Sequence, residues 1–328
     1  MATGGHVDAD TARSILSTMV RIRVFEGRVE ELFAQGKLPG FVHVYLGEEA
    51  IAAGVCAALH DDDYITSTHR GHGHAIAKGI GLSAIMAELH GKATGACRGR
   101  GGSMHVADFS IGMLGANGIV GGGFGIATGA ALSARYRGTD QVAVCFFGDG
   151  GINKGTFHEA ANFATVHRLP VIFACENNQF AQFTARHRTT SVDDLSERAA
   201  GYGMRGLTVD GNDPGAVYAA TVEAVAVARQ GEGPTLLNLM TYRFGGHYVG
   251  DAEVYRDRAD VESRKEADPI GRWEAELLDV GVLTEDDRSR LWEAARSEVA
   301  AAEKFAEESP DPDPDTALDD VFTGAGDG

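Results

Sequence analysis

An α/β fold, with a mainly parallel sheet flanked by helices and a helical C-terminal region, is what this sequence predicts, and three observations carry the prediction. The runs QVAVCFF (141–147), LPVIFAC (169–175) and LLNLMTY (236–242) are almost continuously apolar rather than alternating, the pattern of strands covered on both faces. After the first run and its Gly-Asp-Gly turn come 26 residues, 151–176, that take in one helix and the second run as a returning strand, as a crossover between parallel strands requires. Glycine, 44 of 328 residues, clusters at turns instead of scattering, and no Ser/Gly linker or internal repeat divides the chain. We therefore expect one catalytic domain over 11–258, preceded by a flexible N-terminus (1–10) and followed by helices (259–308) and an acidic tail (309–328).

Taken in order, TARSILSTMVRIRVFEGRVEELFAQGK (11–37) places Ile15, Leu16, Met19, Ile22, Val29, Leu32 and Phe33 on one helical face, and Gly36 and Pro39 end it. GFVHVYLGEEAIAAGVCAAL (40–59) begins as an aromatic loop and becomes a helix of small residues, which lets another element approach closely in the core or at an interface. YITSTHRGHGHAIAKG (64–79) follows a short strand with His69, Arg70, His72 and His74 in six residues. CRGRGGSMHVADFSIGMLGANGIVGGG (97–123) is a basic glycine loop that runs into a helix rich in Ala and Gly, expected to make a tight helix–helix contact. GPTLLNLMTYRFGGHYVGDAEVYRD (233–257) is a buried strand opening into a glycine-rich loop expected to be mobile without a ligand. From Asp260 to Glu308 the apolar spacing of Trp273, Leu277, Leu278, Leu291 and Trp292 is helical, with its partner expected in the wider assembly. The tail SPDPDPDTALDDVFTGAGDG should start extended and end loosely ordered.

The most informative segment is GDG at 148–150 with NN at 177–178. Glycines on both sides of Asp149 allow a sharp turn at a strand end, and the crossover brings Asn178 beside it. A carboxylate, an amide oxygen and a backbone carbonyl, completed by phosphate oxygens, suit Mg²⁺. Alone, an Asp-Gly turn reads as a helix cap. Arg70 suits bidentate phosphate contact, and His72 suits proton transfer near neutral pH. The bland alternative for these histidines is a surface or core role.

GDG, about 26 residues and NN resemble the thiamine diphosphate (ThDP) motif. HEAANFA, LPVIFACENN and YRFGGHYVGD resemble the α subunit of the E1 component of 2-oxo acid dehydrogenase complexes, nearest to acetoin dehydrogenase α chains, from about residue 12 to the end. The resemblance implies a ThDP-binding fold in which 11–258 holds the diphosphate. It implies Mg²⁺ on Asp149, Asn178 and the carbonyl of Phe180. His69, Arg70, Gly150, Gly151 and His247 would surround the diphosphate, and Gly118 and the backbone of Val120 the aminopyrimidine. His72 and His247 are the implied catalytic residues, with His43 on the substrate side; family members often carry Tyr where this chain has His69. A serine that is phosphorylated in mammalian relatives corresponds to Tyr248, so that regulation is not expected. The glutamate that activates ThDP belongs to a β subunit in such relatives, which implies an α₂β₂ heterotetramer, inactive as a single chain, that passes an acyl group to a lipoyl-bearing E2. STHRGHGHAIAKG and the start of the chain tilt the reading to acetoin, against oxidative decarboxylation of pyruvate or a branched-chain 2-oxo acid.

A formal charge of −18 argues against nucleic acid or an anionic membrane as partner, and no apolar run approaches a membrane span, so a cytoplasmic protein is expected. Cys56, Cys97, Cys145 and Cys175 are spaced like small core residues, not like a metal or disulfide framework. A dinucleotide-binding dehydrogenase is opposed by the missing G-x-G-x-x-G after a strand. A scaffold subunit that keeps the fold without catalysis is the remaining alternative.

Overall fold

The computed structural model describes residues 7–319. The expectations for residues 1–6 and for the end of the tail beyond 319 lie outside the described residues. Five strands, β1 (Tyr64–Thr66), β2 (Ala143–Gly148), β3 (Val171–Asn177), β6 (Arg205–Asp210) and β7 (Thr235–Met240), form a wholly parallel sheet in the order β1-β2-β3-β7-β6. A separate two-residue hairpin pairs β4 (Phe180–Ala181) with β5 (Thr184–Ala185).

The unbroken apolar runs divide cleanly between two faces, as a period of two demands. Val142, Val144, Phe146, Ile172, Ala174, Leu237 and Leu239 join one core cluster, while Ala143, Cys145, Phe147, Val171, Phe173, Cys175 and Leu236 join another. Against the second face lie α5 (Gly122–Arg137) and α6 (Gly155–Val166), the crossover helix between β2 and β3. The first is covered by α1 (Ala9–Ala34), α2 (Glu49–Ala57), α3 (His72–Lys78), α4 (Leu82–Leu89) and α7 (Pro214–Arg229).

Helix α1 starts where Asp8 caps the amides of Asp10 and Thr11, and Ile15, Leu16, Met19 and Ile22 are no more than 1% exposed. The small residues of α2 allow the close approach expected of them: a Cβ on Gly54 would stand 2.9 Å from the Pro214 carbonyl and from Val217. Helix α5 makes the expected close contact on one side, where Ala127 and Ala131 pack with Ala160 and Ala164 of α6 and a Cβ on Gly123 would stand 2.9 Å from the Thr66 hydroxyl. On the other side Gly125 and Gly129 face open space, and with exposed Ile126, Leu132 and Tyr136 they leave an apolar stripe without a partner among the described residues.

The C-terminal region forms α8 (Arg258–Lys265), α9 (Pro269–Asp279) and α10 (Glu285–Glu308). Trp273 and Leu277 pack with Ile15, Leu16 and Met19 of α1, while Val299, Ala302 and Ala306 enter the main core. The partner of these helices is thus the body of the same chain, which corrects the expectation of one in the assembly. All four cysteines are free thiols.

Candidate active site

Gly148 pairs with Glu176 in the sheet, so Asp149 and Asn178 leave the neighbouring strands β2 and β3 at the same, carboxyl-terminal edge. A cleft of about 470 Å³ opens there. Glycine is needed beside the carboxylate, because a Cβ on Gly150 would lie 2.7 Å from that of Ala181 in the hairpin. Asp149 is 1% exposed, and both carboxylate oxygens are without a hydrogen-bond partner. Burial, only partly offset by the nearby backbone N–H groups of Asp149 and Gly150, neither of which reaches hydrogen-bond geometry, and by the charges of Arg243 and Arg186, pushes its pKa up to about 6. An ionised oxygen pair held out of water without a donor calls for a cation. The Asn178 amide donates to both oxygens of Glu48, at 3.2 and 3.1 Å, which fixes its orientation; its Oδ1 accepts the Phe180 N–H at 3.3 Å. The donor chemistry of this corner therefore fits Mg²⁺.

Positive groups line the same cleft. Arg70, just before α3, is 3% exposed; it donates to the carbonyls of Val44 (2.5 Å) and His247 (3.1 Å) and lies 3.5 Å from Glu48. Arg243, 1% exposed, donates to the carbonyls of Gly245 and Gln182 and to the Tyr255 hydroxyl. Burial and the neighbouring Arg70 lower its pKa to about 10. The amino end of α5, entered through Gly121 at φ +90°, also faces the cleft. Two guanidinium groups and a helix amino terminus suit a diphosphate.

In the same cleft three imidazoles meet: His43 stands edge to face with His69 at 4.8 Å between ring centres and with His247 at 5.0 Å, and His69 and His247 are tilted to one another at 5.2 Å. Burial, then Arg70, lowers all three pKa values, His43 to about 3 and His247 to about 4. They are uncharged at neutral pH.

The cleft gathers His43, His69, Arg70, Gly118, Val120, Asp149, Gly150, Gly151, Asn178, Phe180 and His247, all singled out from the sequence. It leaves out His72, and this is a correction. His72 is fully buried, with Nδ1 bonded to Glu26 of α1 at 2.9 Å and Nε2 to the Ser103 hydroxyl at 2.9 Å. Both ring nitrogens are committed, so the residue ties α1 to the glycine loop and has no free nitrogen for proton transfer. His74 is buried likewise, between Ser67 and Glu176. Glu48, Glu176 and Arg243 line the cleft but were missed by sequence reasoning. The paired glutamates at the start of an otherwise small, apolar helix were the signal for Glu48. Arg243, next to the glycine loop, had an equivalent one.

Fold and cleft together define an α/β protein with a lined cleft at the carboxyl ends of a parallel sheet. The chain belongs to the dehydrogenase E1 component family, whose model matches residues 17–315. It is 53% identical over 308 residues to the α subunit of acetoin:2,6-dichlorophenolindophenol oxidoreductase of Bacillus subtilis, covering 93% of this chain and 91% of that one. Identity to the Cupriavidus necator protein of the same description is 44% over 317 residues, covering 96% and 95%. To the pyruvate dehydrogenase E1 component subunit alpha of Rhizobium meliloti it is 40% over 305 residues, covering 93% and 88%. Membership implies ThDP as the cofactor. Among the described residues, no helix is long and apolar enough to cross a membrane.

Proposed function

We propose that this chain is the α subunit of a ThDP-dependent E1 oxidoreductase that cleaves acetoin and hands the two-carbon acyl group to a lipoyl-bearing E2. The observation that carries the cofactor reading is Asp149, a buried carboxylate with neither oxygen partnered. In this reading Asp149, Asn178 and the carbonyl of Phe180 hold Mg²⁺, and Arg70, Gly150 and Gly151 take the diphosphate. Bound there, ThDP would supply carbanion chemistry toward the substrate carbonyl. The chain's own task is to bind the diphosphate end rigidly, keep water out and present uncharged imidazoles. His43 and His247 each offer one N–H and one lone pair at neutral pH, able to donate to a carbonyl oxygen or accept a hydroxyl proton.

A β subunit completes the reading. Of the cleft carboxylates besides Asp149, Glu48 is bonded to Asn178, and Glu176 to His74 and Tyr45, so this chain spares none for the aminopyrimidine. Ile119, at 73% exposure on the cleft rim, and the bare stripe of α5 support an α₂β₂ assembly with the site between chains. We place the assembly in the cytoplasm, which cell fractionation tests. Acetoin is favoured over pyruvate by the higher identity to the two acetoin-acting relatives. The test is an artificial electron-acceptor assay on the complex with its β partner, ThDP and Mg²⁺, offered acetoin, pyruvate and branched 2-oxo acids. Preference for acetoin supports the reading; preference for a 2-oxo acid moves the activity to oxidative decarboxylation, and full turnover by the α chain alone removes the shared site.

A further inference from the structure

The three imidazoles at the cleft form a group that the proposed reaction does not require as a group. One ligand nitrogen from each of His43, His69 and His247 lies within 4.8 Å of the others. His43 is 7% exposed, and the Nδ1 atoms of His43 and His247 are buried without a hydrogen-bond partner. We propose that His43, His69 and His247 form a binding site for a borderline divalent transition-metal ion, with Zn²⁺ as the reference ligand, whose occupation blocks the cleft.

The chemistry favours nitrogen-loving ions over Mg²⁺, since imidazole suits Zn, Cu and Ni whereas Mg²⁺ prefers oxygen. Because the rings are uncharged at neutral pH, the metal need displace no proton. With Zn–N bonds of about 2.0–2.1 Å, three nitrogens on a tetrahedral ion stand roughly 3.4 Å apart, so the rings must draw together by on the order of 1 Å. The segments that carry His43 and His247 are tied to each other by the Val249 N–H to the Val42 carbonyl, and Asp251 holds the His247 amide at 2.8 Å, so the ligand set is held by backbone as well as by side chains. Arg70 and Arg243 both oppose a dication here, and a diphosphate seated on Arg70 would offset that positive charge. His69 is the residue that turns a pair into a trio. An ion held here takes up the lone pairs of His43 and His247, so binding and inhibition should run together.

The test uses the αβ complex carrying ThDP and Mg²⁺, without substrate, titrated with zinc chloride against a competing chelator dye; the visible spectrum of added Co²⁺ reports a nitrogen site of low coordination number. The expected result is one Zn²⁺ per α chain, weakened at least tenfold in H69Y, with turnover by the wild-type complex lost in step with occupancy. Among the described residues the only other candidate group is His60, Asp62 and Asp63, in which Asp63 is already paired with Arg229 at 2.5 Å. H60A should therefore leave the affinity unchanged. H69F serves if H69Y does not assemble, and the Co²⁺ spectrum of the wild type stands without either variant. Equal Zn²⁺ affinity in wild type and H69Y, loss of binding in H60A instead, or no uptake at all would overturn the proposal. Because binding is read without turnover, failure here is separable from failure of the acetoin reading.

Discussion

Replacing Asp149 by asparagine separates what this carboxylate does to the fold from what it does for the cofactor. The folded-state pKa of about 6 exceeds the ordinary value of 3.8, so protonation favours the folded state. Without a cation, stability should fall as pH rises from the unfolded towards the folded value and then level off. The difference of about 2 units corresponds to about 3 kcal/mol at neutral pH, with 1.36 kcal/mol per unit. The neutral amide removes the charge but keeps two buried polar atoms, so Asp149→Asn should stabilise the cofactor-free complex by about 1–3 kcal/mol. With ThDP and Mg²⁺ the order reverses. Ligand at about 1,000 times its Kd stabilises the wild type by about 4.1 kcal/mol, more than the variant's advantage, while the variant gains little. Thermal unfolding of the αβ complex, with and without ThDP and Mg²⁺, above and below the folded-state pKa, reads all four states. The reasoning fails if the variant is less stable than wild type without cofactor, or if it keeps the full Mg²⁺-dependent stabilisation.

Four further outcomes are expected. Glu48→Ala should release the Asn178 amide and weaken Mg²⁺ binding roughly 10- to 100-fold, the usual effect of losing a group that orients a ligand; fluorescence titration of the complex with Mg²⁺ at fixed ThDP checks it. His72→Ala should destabilise the complex by about 2–4 kcal/mol, leaving Glu26 Oε2 without its partner while Oε1 keeps the Tyr45 N–H, and the folded fraction should keep its turnover within several-fold. His247→Ala should show the opposite split, near-normal unfolding with a large loss of turnover, and denaturant unfolding beside initial rates distinguishes the two. Leu132→Glu on the bare stripe of α5 should leave the α chain folded by circular dichroism but prevent its co-purification with β, and unchanged assembly would remove the stripe from the interface.

How much was readable in the sequence depended on whether a residue's role follows from its neighbours along the chain. Strands β2, β3 and β7 announced themselves because a strand covered on both faces must be apolar at every position, and GDG with NN marked the edge where two of them end. By the same logic β6, at the sheet edge with only Leu207 and Val209 partly buried and its other residues exposed, gave little signal. His72 misled because density of histidines was the only local cue. Its role is settled by Glu26, 46 positions away on α1, which claims one ring nitrogen, while Ser103 claims the other. Glu48 was passed over for the converse reason: the glutamate pair was there to be seen, but a carboxylate at a helix start normally faces water, and only the fold buries it between Arg70 and Asn178.

Among the described residues, the buried side-chain atoms left without a partner number eight, and four of them, both oxygens of Asp149 and Nδ1 of His43 and of His247, belong to residues lining one cleft. Each such atom costs about 1–3 kcal/mol against its hydrogen-bonded state, and more for the charged pair, so the sequence tolerates on the order of 5 kcal/mol of destabilisation at a single place. That is the size of the whole net stability of many domains, and selection for folding alone would have replaced these residues. Their concentration therefore argues that the chain's stable form includes ligands at this edge of the sheet, and it predicts a strong dependence of its folding on them. Unfolding of the complex in denaturant should shift to higher concentration with ThDP and Mg²⁺ together and by much less with either alone, because the diphosphate and the cation neutralise one another only as a pair. Equal shifts with Mg²⁺ alone and with both would show that the carboxylate, and not the joint site, sets the requirement.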